Sequence, residues 1–298
     1  MKKNYRMVLC LLFFAKYLAA GNTEATAQFL LLPPNSYSLA LGEAVTSVAS
    51  GGSEFTNPAL LVEKKEVQME ISYMRWLEDV THTTLGFIYP LADKDRAIGM
   101  GISYLSSGDM GAYDEEGTLT GSVSMANWSA GFSFAQRIAY PLSFGVGVRT
   151  LSLDLAGDKG TGIALNAGLM LKPFKTLTIA AVRRNMGPDM RVGDVLNPLP
   201  EVTRTGISYQ SRELLLTADY DADEGLGFGI DYRITETLSV RGGYKNLDDL
   251  REGAGLSLGL GFNDMGSRME QILSYFNYAM TSYGELGFVH SFSLGIKF

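Results

Sequence analysis

Cysteine and histidine are almost absent from this sequence: Cys10 is the only cysteine, and His82 and His290 are the only histidines. Two separated histidines without a thiol partner make no zinc site, so no metal and no cofactor is expected. Proline is also scarce, with 9 residues against 34 glycines. Basic charge is outweighed: 25 Lys and Arg face 32 Asp and Glu, leaving a net charge of -7. That balance argues against a nucleic-acid partner, which needs a Lys/Arg surplus. No basic run is present to hold an anionic lipid surface. After residue 28, no apolar stretch reaches the roughly 18 residues of a membrane helix, so a membrane location must rest on strands.

What the chain does have begins with a targeting segment. Lys2, Lys3 and Arg6 form a positive start, Met7 to Ala20 is an apolar run interrupted by Lys16, and Ala25-Thr26-Ala27 supplies a small-x-small cleavage pattern. The run is shorter than the roughly 20 residues a spanning helix needs. Residues 1–27 therefore read as a cleaved signal peptide, with the mature chain starting near Gln28. Cys10 would leave with it. An exported chain without disulfides must be held some other way, and a closed barrel serves.

Alternation supplies the barrel. From Leu286, every second residue reads Leu286, Phe288, His290, Phe292, Leu294, Ile296, Phe298, and the residues between are Gly287, Val289, Ser291, Ser293, Gly295, Lys297. A period of two belongs to a strand. The same asymmetry recurs around Leu226–Ile234, Ala254–Phe262, Leu142–Val148 and Ile98–Tyr104. A soluble sandwich would carry Lys, Glu and Thr on its wet face, because glycine weakens strands. Here the second face is mostly glycine, alanine and serine. Small residues suit a lumen where side chains converge, and the bulky apolar face then meets lipid.

Strands are expected near 66–76, 81–91, 96–106, 122–136, 141–153, 160–172, 176–184, 201–210, 213–222, 225–234, 237–245, 251–262, 269–280 and 285–298. The fold class is thus all-β, an antiparallel transmembrane β-barrel of about fourteen strands spanning 66–298, an even number as single-chain bacterial barrels require. If residue 66 starts in the periplasm, the two longest connections, 107–121 and 185–200, are the third and seventh and both lie outside. Even connections such as Ser211-Arg212 and Thr235-Glu236 are short turns. Long outer loops and short periplasmic turns are the usual asymmetry of such barrels.

Residues 28–65 do not alternate. Leu39 to Ala49 is small and helix-compatible, Gly51-Gly52 breaks it, and Pro58 pushes Asn57 toward an extended or turn conformation. This leader either plugs the barrel, in it or under it, or trails as a periplasmic tail.

Gly42, Ala44, Val48-Ala49 and Asn57-Pro58-Ala59-Leu60 resemble the hatch of the PorV/PorQ family, relatives of FadL-type transporters. The likeness continues through Val182–Gly187, Thr205–Tyr209, Leu238–Tyr244, Asn277-Tyr278-Ala279 and the closing LGFVHSFSLGIKF. The resemblance implies a fourteen-stranded barrel with a hatch at Gly42, Asn57, Pro58 and Ala59. Two departures stand out: Tyr37-Ser38 replaces an Arg shortly before the hatch glycine, and Asn277 stands where an Asp is common. FadL-type proteins pass hydrophobic molecules across the outer membrane, whereas PorV-type proteins accompany cargo in type IX secretion.

Charged residues on the small face carry further information. Arg149, Arg204, Asp219, Asp231, Arg233, Arg241 and Lys297 would point into the lumen, where Arg–Asp pairs are expected to make a polar interior closed to bulk flow. A water-filled pore lined by the same groups is the alternative. Asp219-x-Asp221-x-Asp223 fails as a calcium loop, because Glu224 replaces the glycine and Ile230 the closing glutamate, and it reads instead as a solvated hairpin. Asp114-Glu115-Glu116 reads as exposed loop. His290 falls on the lipid side near the outer end of the last strand, and His82 at a strand start beside the first hairpin. No nucleophile elbow accompanies either, so the protein reads as non-enzymatic.

The resulting expectation is an exported, non-enzymatic outer-membrane barrel of PorV/PorQ type, a secretion-system accessory whose outer loops meet secretion components. The runner-up is a FadL-like conduit in which the hatch gates a hydrophobic ligand, and the third reading is a soluble periplasmic β-protein. Outer-membrane lipid surrounds the barrel in the first two. Phe298, with Ile296 and Leu294 before it, resembles the signal that barrel-assembly machinery recognises.

Overall fold

Strands dominate the chain because the two-residue period runs through it almost without interruption. In the computed structural model, which describes residues 25–77, 80–93, 95–113, 119–246, 255–263 and 273–298, sixteen strands follow an irregular leader. They are β1 (Gln68–Arg75), β2 (Thr81–Pro90), β3 (Arg96–Tyr113), β4 (Leu119–Ala139), β5 (Leu142–Leu155), β6 (Asp158–Phe174), β7 (Leu177–Met186), β8 (Met190–Val192) and β9 (Val195–Asn197). Then come β10 (Val202–Gln210), β11 (Leu214–Asp221), β12 (Gly225–Arg233), β13 (Leu238–Lys245), β14 (Leu256–Asn263), β15 (Tyr275–Ser282) and β16 (Phe288–Lys297). Fourteen of them close an antiparallel barrel, with β7 paired to β10 and β1 to β16, while β8 and β9 form a separate hairpin. No described helix is long and apolar enough to cross a membrane. The basic and apolar leader up to residue 24 and Asp114-Glu115-Glu116 lie outside the described residues.

The fourteen-stranded closure matches the expectation from alternation, but several boundaries differ. β3 and β4 continue to Tyr113 and from Leu119, so the long third loop is instead a tall hairpin. Past the hydrocarbon layer, strand length is no longer set by bilayer thickness. The seventh connection folds into the β8–β9 hairpin. One even connection is not short: the twelfth spans residues 264–274 at the periplasmic end, defined here as the end carrying Gln68 and Lys297. Apart from the bulge at Asn185, the side chains keep the facing that alternation sets.

That facing follows the pleat. Met69, Ile71 and Tyr73 of β1 are exposed while Gln68, Glu70, Ser72 and Met74 between them are buried. On β16, Phe288, Phe292 and Leu294 are exposed, and Ser291 and Ser293 are fully enclosed. Aromatics gather in two outward bands. Tyr89, Phe174, Tyr209 and Tyr232 lie toward the periplasmic ends of their strands, and Tyr73, Tyr104, Tyr220, Tyr244 and Phe288 toward the outer ends. Such girdles are where amphipathic rings settle at the two bilayer interfaces.

The lumen is filled by residues 25–67. This segment neither trails below the barrel nor sits only at its periplasmic mouth. Ala27 to Leu30 pack at the outer end beside Leu105, Leu151 and Leu153, and Glu63 reaches the periplasmic end beside Arg137 and Lys172. Its regular parts are short: the helices Ser36–Ala40 and Ser53–Thr56 and the 3-10 turns Gln28–Leu31 and Pro58–Glu63. The helix-compatible stretch 39–49 is therefore mostly turns, because the chain must bend to follow the curved wall. Inward glycines make room for it. A Cβ on Gly99 would come within 2.8 Å of the Glu54 Cβ, and one on Gly101 within 2.5 Å of the Phe55 ring.

Candidate functional site

The lumen divides by chemistry into a clamped foot, a tightly packed middle and an apolar outer chamber. At the foot, Glu63 accepts from Arg137 Nη2 at 2.9 Å and from Lys172 Nζ. Arg137 and Lys172 lie near the ends of β4 and β6, so one hatch carboxylate joins two strands. Beside it a polar cavity of about 180 Å³ is lined by Lys64, Glu70, Arg233, Arg241, Tyr275 and Lys297. Arg233 is exposed in this mouth, not part of the expected Arg–Asp pairing.

In the middle, the hatch residues singled out in the sequence pack against wall backbone. Asn57 is fully enclosed; its Nδ2 donates to the Thr46 carbonyl at 2.8 Å, and its Oδ1 accepts from Ala59 N–H at 3.1 Å. Pro58 and Ala59 lie so close to β5 that a Cβ on Gly145 would overlap them. Gly42 takes a left-handed φ of 60°, and a Cβ there would come within 2.6 Å of the Tyr244 backbone nitrogen. A side chain at that position faces both strain and collision.

The lumen charges follow the expected pairing only in part. Arg241 donates to Asp231 at 3.0 Å and to Asn277 Oδ1 at 2.8 Å, with its guanidinium 4.6 Å from the Tyr37 ring centroid. The two departures from the PorV/PorQ pattern, Tyr37 and Asn277, thus meet on one arginine. Asp219 does not pair with an arginine: its Oδ2 accepts from the Thr46 N–H at 2.8 Å. Arg149 likewise has no carboxylate within ion-pair distance among the described residues, and lies 5.0 Å over the Phe55 ring. The hatch occupies the space across which these charges would have met, and substitutes its own backbone and aromatic partners.

Toward the outer rim, Arg204 donates from Nε to Asp221 at 2.5 Å and from Nη2 to Glu224. Glu43 of the hatch lies 3.7 Å from Arg204 and 3.1 Å from Lys245. Burial pushes the Glu43 carboxyl up, but Lys245 and Arg204 outweigh it and hold it below the usual carboxylate range. Asp221 and Glu224 are therefore not a solvated hairpin but half of a network that ties the hatch to β10, β11 and β13. Asp221 stands two residues after the inward Asp219, so the strand period that places the one inward extends to the other, and the solvated-hairpin reading missed it. Arg184 is inward by the same period, two residues after Val182, although it was not among the expected lumen charges; the alternation slips only after it, at Asn185, which takes a φ of 58°.

Above these layers the lumen turns apolar. Leu105, Leu151, Leu153 and Ala164 of the wall, with Met190 of β8 and Leu199, enclose Ala27, Phe29 and Leu30. Met125, Leu155, Val192 and Leu32 pack around them. The β8–β9 hairpin covers this chamber. The chain's own leader fills it, held by Thr26 N–H donating to the Pro198 carbonyl at 2.9 Å.

His82 borders the chamber. The register sets it beside Met74 on one side and Leu105 on the other, all inward. It is 3% exposed, and neither ring nitrogen has a hydrogen-bond partner among the described residues. The other histidine lies on the lipid face as expected, its Nδ1 2.9 Å from the Tyr278 hydroxyl. Phe298, the expected assembly residue, is exposed at the periplasmic end, its N–H bonded to the Val67 carbonyl at 2.9 Å.

No protein-family model matches the chain, and no curated protein matches it in sequence. Solved structures do. A TodX monoaromatic hydrocarbon channel mutant superposes with a TM-score of 0.62 at 13% identity, covering 89% of this chain and 99% of that one. The Ralstonia pickettii toluene transporter TbuX gives 0.59 at 16% identity, covering 93% and 99%. A Pseudomonas aeruginosa FadL homologue gives 0.56 at 13%, covering 90% and 98%. At these identities the likeness establishes the fold alone: a closed antiparallel barrel like those of the hydrocarbon channels and the FadL homologue.

Proposed function

We propose that this chain is a non-enzymatic outer-membrane conduit for small hydrophobic molecules, with the outer chamber as its entry site. The observation that carries the reading is the apolar cluster at the outer end of the lumen, the end open to entry from outside, where Phe29, Leu30 and Leu32 of the leader pack against the wall. A binding site for an uncharged molecule is a concave apolar pocket with few polar groups, and this one is lined by Leu, Val, Met and Ala, with Asn127 inward between Leu105 and Leu153 and His82 at its border. Structures with the same fold are described as toluene and monoaromatic hydrocarbon channels, which supports the same ligand class here. Passage requires the leader to give way, since it occupies the chamber and the hatch below fills the lumen. Residues 1–27 act in this account as the cleaved export signal, so the mature chain keeps Phe29, Leu30 and Leu32 in the chamber but not Thr26 and Ala27, and Leu294, Ile296 and Phe298 act as the assembly signal.

The test is uptake of radiolabelled toluene by bacterial cells that lack other hydrocarbon channels. Cells making this protein should accumulate toluene several-fold faster than cells making none. Equal rates at equal surface levels would sink the conduit reading.

A second reading keeps the accessory role in type IX secretion. It is favoured by the ordered series of residues shared with the PorV/PorQ family, from Gly42 to the closing strand. Copurification separates the two: a secreted carboxy-terminal domain held by the outer hairpins supports the accessory, and an apolar ligand in the chamber supports the conduit.

A further inference from the structure

We infer that the outer chamber selects apolar molecules bearing one uncharged hydrogen-bonding group, and that His82 is the residue that binds this group. The inference rests on the conduit reading and adds the ligand's polar feature and its contact. An imidazole enclosed in a barrel wall normally has a partner for at least one nitrogen, because an unmet buried polar group is costly. His82 has none among the described residues, although it is 3% exposed. It sits between Met74 and Leu105, neither of which offers a donor or a strong acceptor, and Leu105 is a chamber wall.

The leader explains why the imidazole goes unmet in this state. After Phe29 and Leu30 the chain runs down the β2 wall, where the Pro34 carbonyl accepts from the Thr84 hydroxyl at 2.6 Å. Thr84 is the next inward residue after His82. The stretch between chamber and Thr84 includes Pro33 and Pro34, which have no backbone N–H to give. When a ligand displaces this stretch, His82 faces the chamber with a donor and an acceptor both free, since neutral imidazole carries one of each. A hydroxyl can use either.

The wall around His82 carries no charge. Its register neighbours are Met74 and Leu105, and the next inward residue on its strand is Thr84. The enclosed cations lie elsewhere on the wall, Arg149 on β5 over the Phe55 ring and Arg184 on β7. A carboxylate held at the imidazole would be desolvated with no cation among these neighbours, whereas an uncharged hydroxyl costs far less to enclose.

Three ligands of one skeleton test this: toluene, p-cresol and p-toluate, titrated into the purified full-length mature protein and its His82→Leu variant. The expected result is that the p-cresol preference over toluene falls about tenfold in His82→Leu, the loss that follows from removing one buried hydrogen bond. Comparing the ratio between variants cancels the different solubilities of the two ligands. An unchanged ratio overturns the assignment of His82 while leaving the conduit standing. Tightest binding by p-toluate overturns the uncharged class. Failure of all three ligands to bind the native protein overturns the conduit reading itself. Should His82→Leu not fold, histidine-selective ¹⁵N labelling of the native protein decides. With only His82 and His290 present, p-cresol should shift one set of ring nitrogen signals and toluene should not; identical responses to both overturn the assignment.

Discussion

The side-chain oxygen of Asn57 occupies the place that a Cβ would take on Gly168, so hatch and wall are fitted at the level of single atoms. Gly168 sits on β6 with its missing side chain directed inward, and Asn57 in turn holds the Thr46 carbonyl and the Ala59 N–H. Gly168→Ala should therefore displace the Asn57 turn. Its expected cost is about 1–3 kcal/mol, the range for forcing an extra carbon into a packed interior. Urea unfolding in detergent micelles, followed by tryptophan fluorescence, checks this against Gly242→Ala. Gly242 faces outward, and its nearest contact for a Cβ is 3.5 Å away, so that variant should be close to neutral.

Arg204 is the centre of the rim network. Removing it with Arg204→Met leaves Glu43 and Glu224 to Lys245 alone and leaves the buried Asp221 without its cation. Breaking a buried pair from one side costs about 3–5 kcal/mol, because an uncompensated charge stays behind. The same unfolding measurement should show a loss of that size, and Glu43→Gln in the Arg204→Met background should restore part of it. Equal stability of Arg204→Met and the native protein would show that the rim does not hold the hatch.

Glu54 makes stability depend on pH. Burial raises its carboxyl well above the ordinary value of 4.5. A group whose folded value is raised favours the folded state most below its unfolded value, and that contribution is lost as pH rises through the folded value. The native protein should therefore lose stability from pH 4.5 upward relative to Glu54→Gln, which cannot ionise. Thermal midpoints of both proteins from about pH 4.5 to about pH 8 give the comparison. A constant difference across that range contradicts the prediction.

Much of this architecture was legible because the strand period of two is rigid. Leu226, Phe228 and Ile230 had to face one way and Gly227 and Gly229 the other, and the structure keeps them so. His82 was equally readable as inward, alternating with Thr81, Thr83 and Leu85. The path of the hatch was not, because its contacts are remote in sequence. Ser36 bonds Ser293, and Glu43 bonds Lys245, more than two hundred residues away. Nothing local in a stretch of turns encodes such a partner. The pairing of lumen charges was legible for Arg241 with Asp231, neighbours across one ladder rung, and misleading for Asp219 and Arg149, whose partners the hatch supplies.

Phe29 and Leu30 hold the chamber closed by filling it. Phe29→Ala with Leu30→Ala removes most of that apolar bulk from a site with few other occupants. Ligand affinity should rise several-fold, because less of the leader must be displaced before the chamber is free. Isothermal titration with toluene reads this directly, and a fall in affinity would mean that the two side chains form part of the site and do not compete for it.

Above all, the leader and an apolar ligand are expected to compete for one chamber. Gln28 is exposed next to Phe29, and Cys10 is the only cysteine, so with Cys10→Ser a nitroxide on Gln28→Cys reports on this segment alone. Its electron paramagnetic resonance spectrum should change from immobilised to mobile as toluene is titrated in, and the change should saturate. A spectrum that stays immobilised while toluene binds would contradict the account.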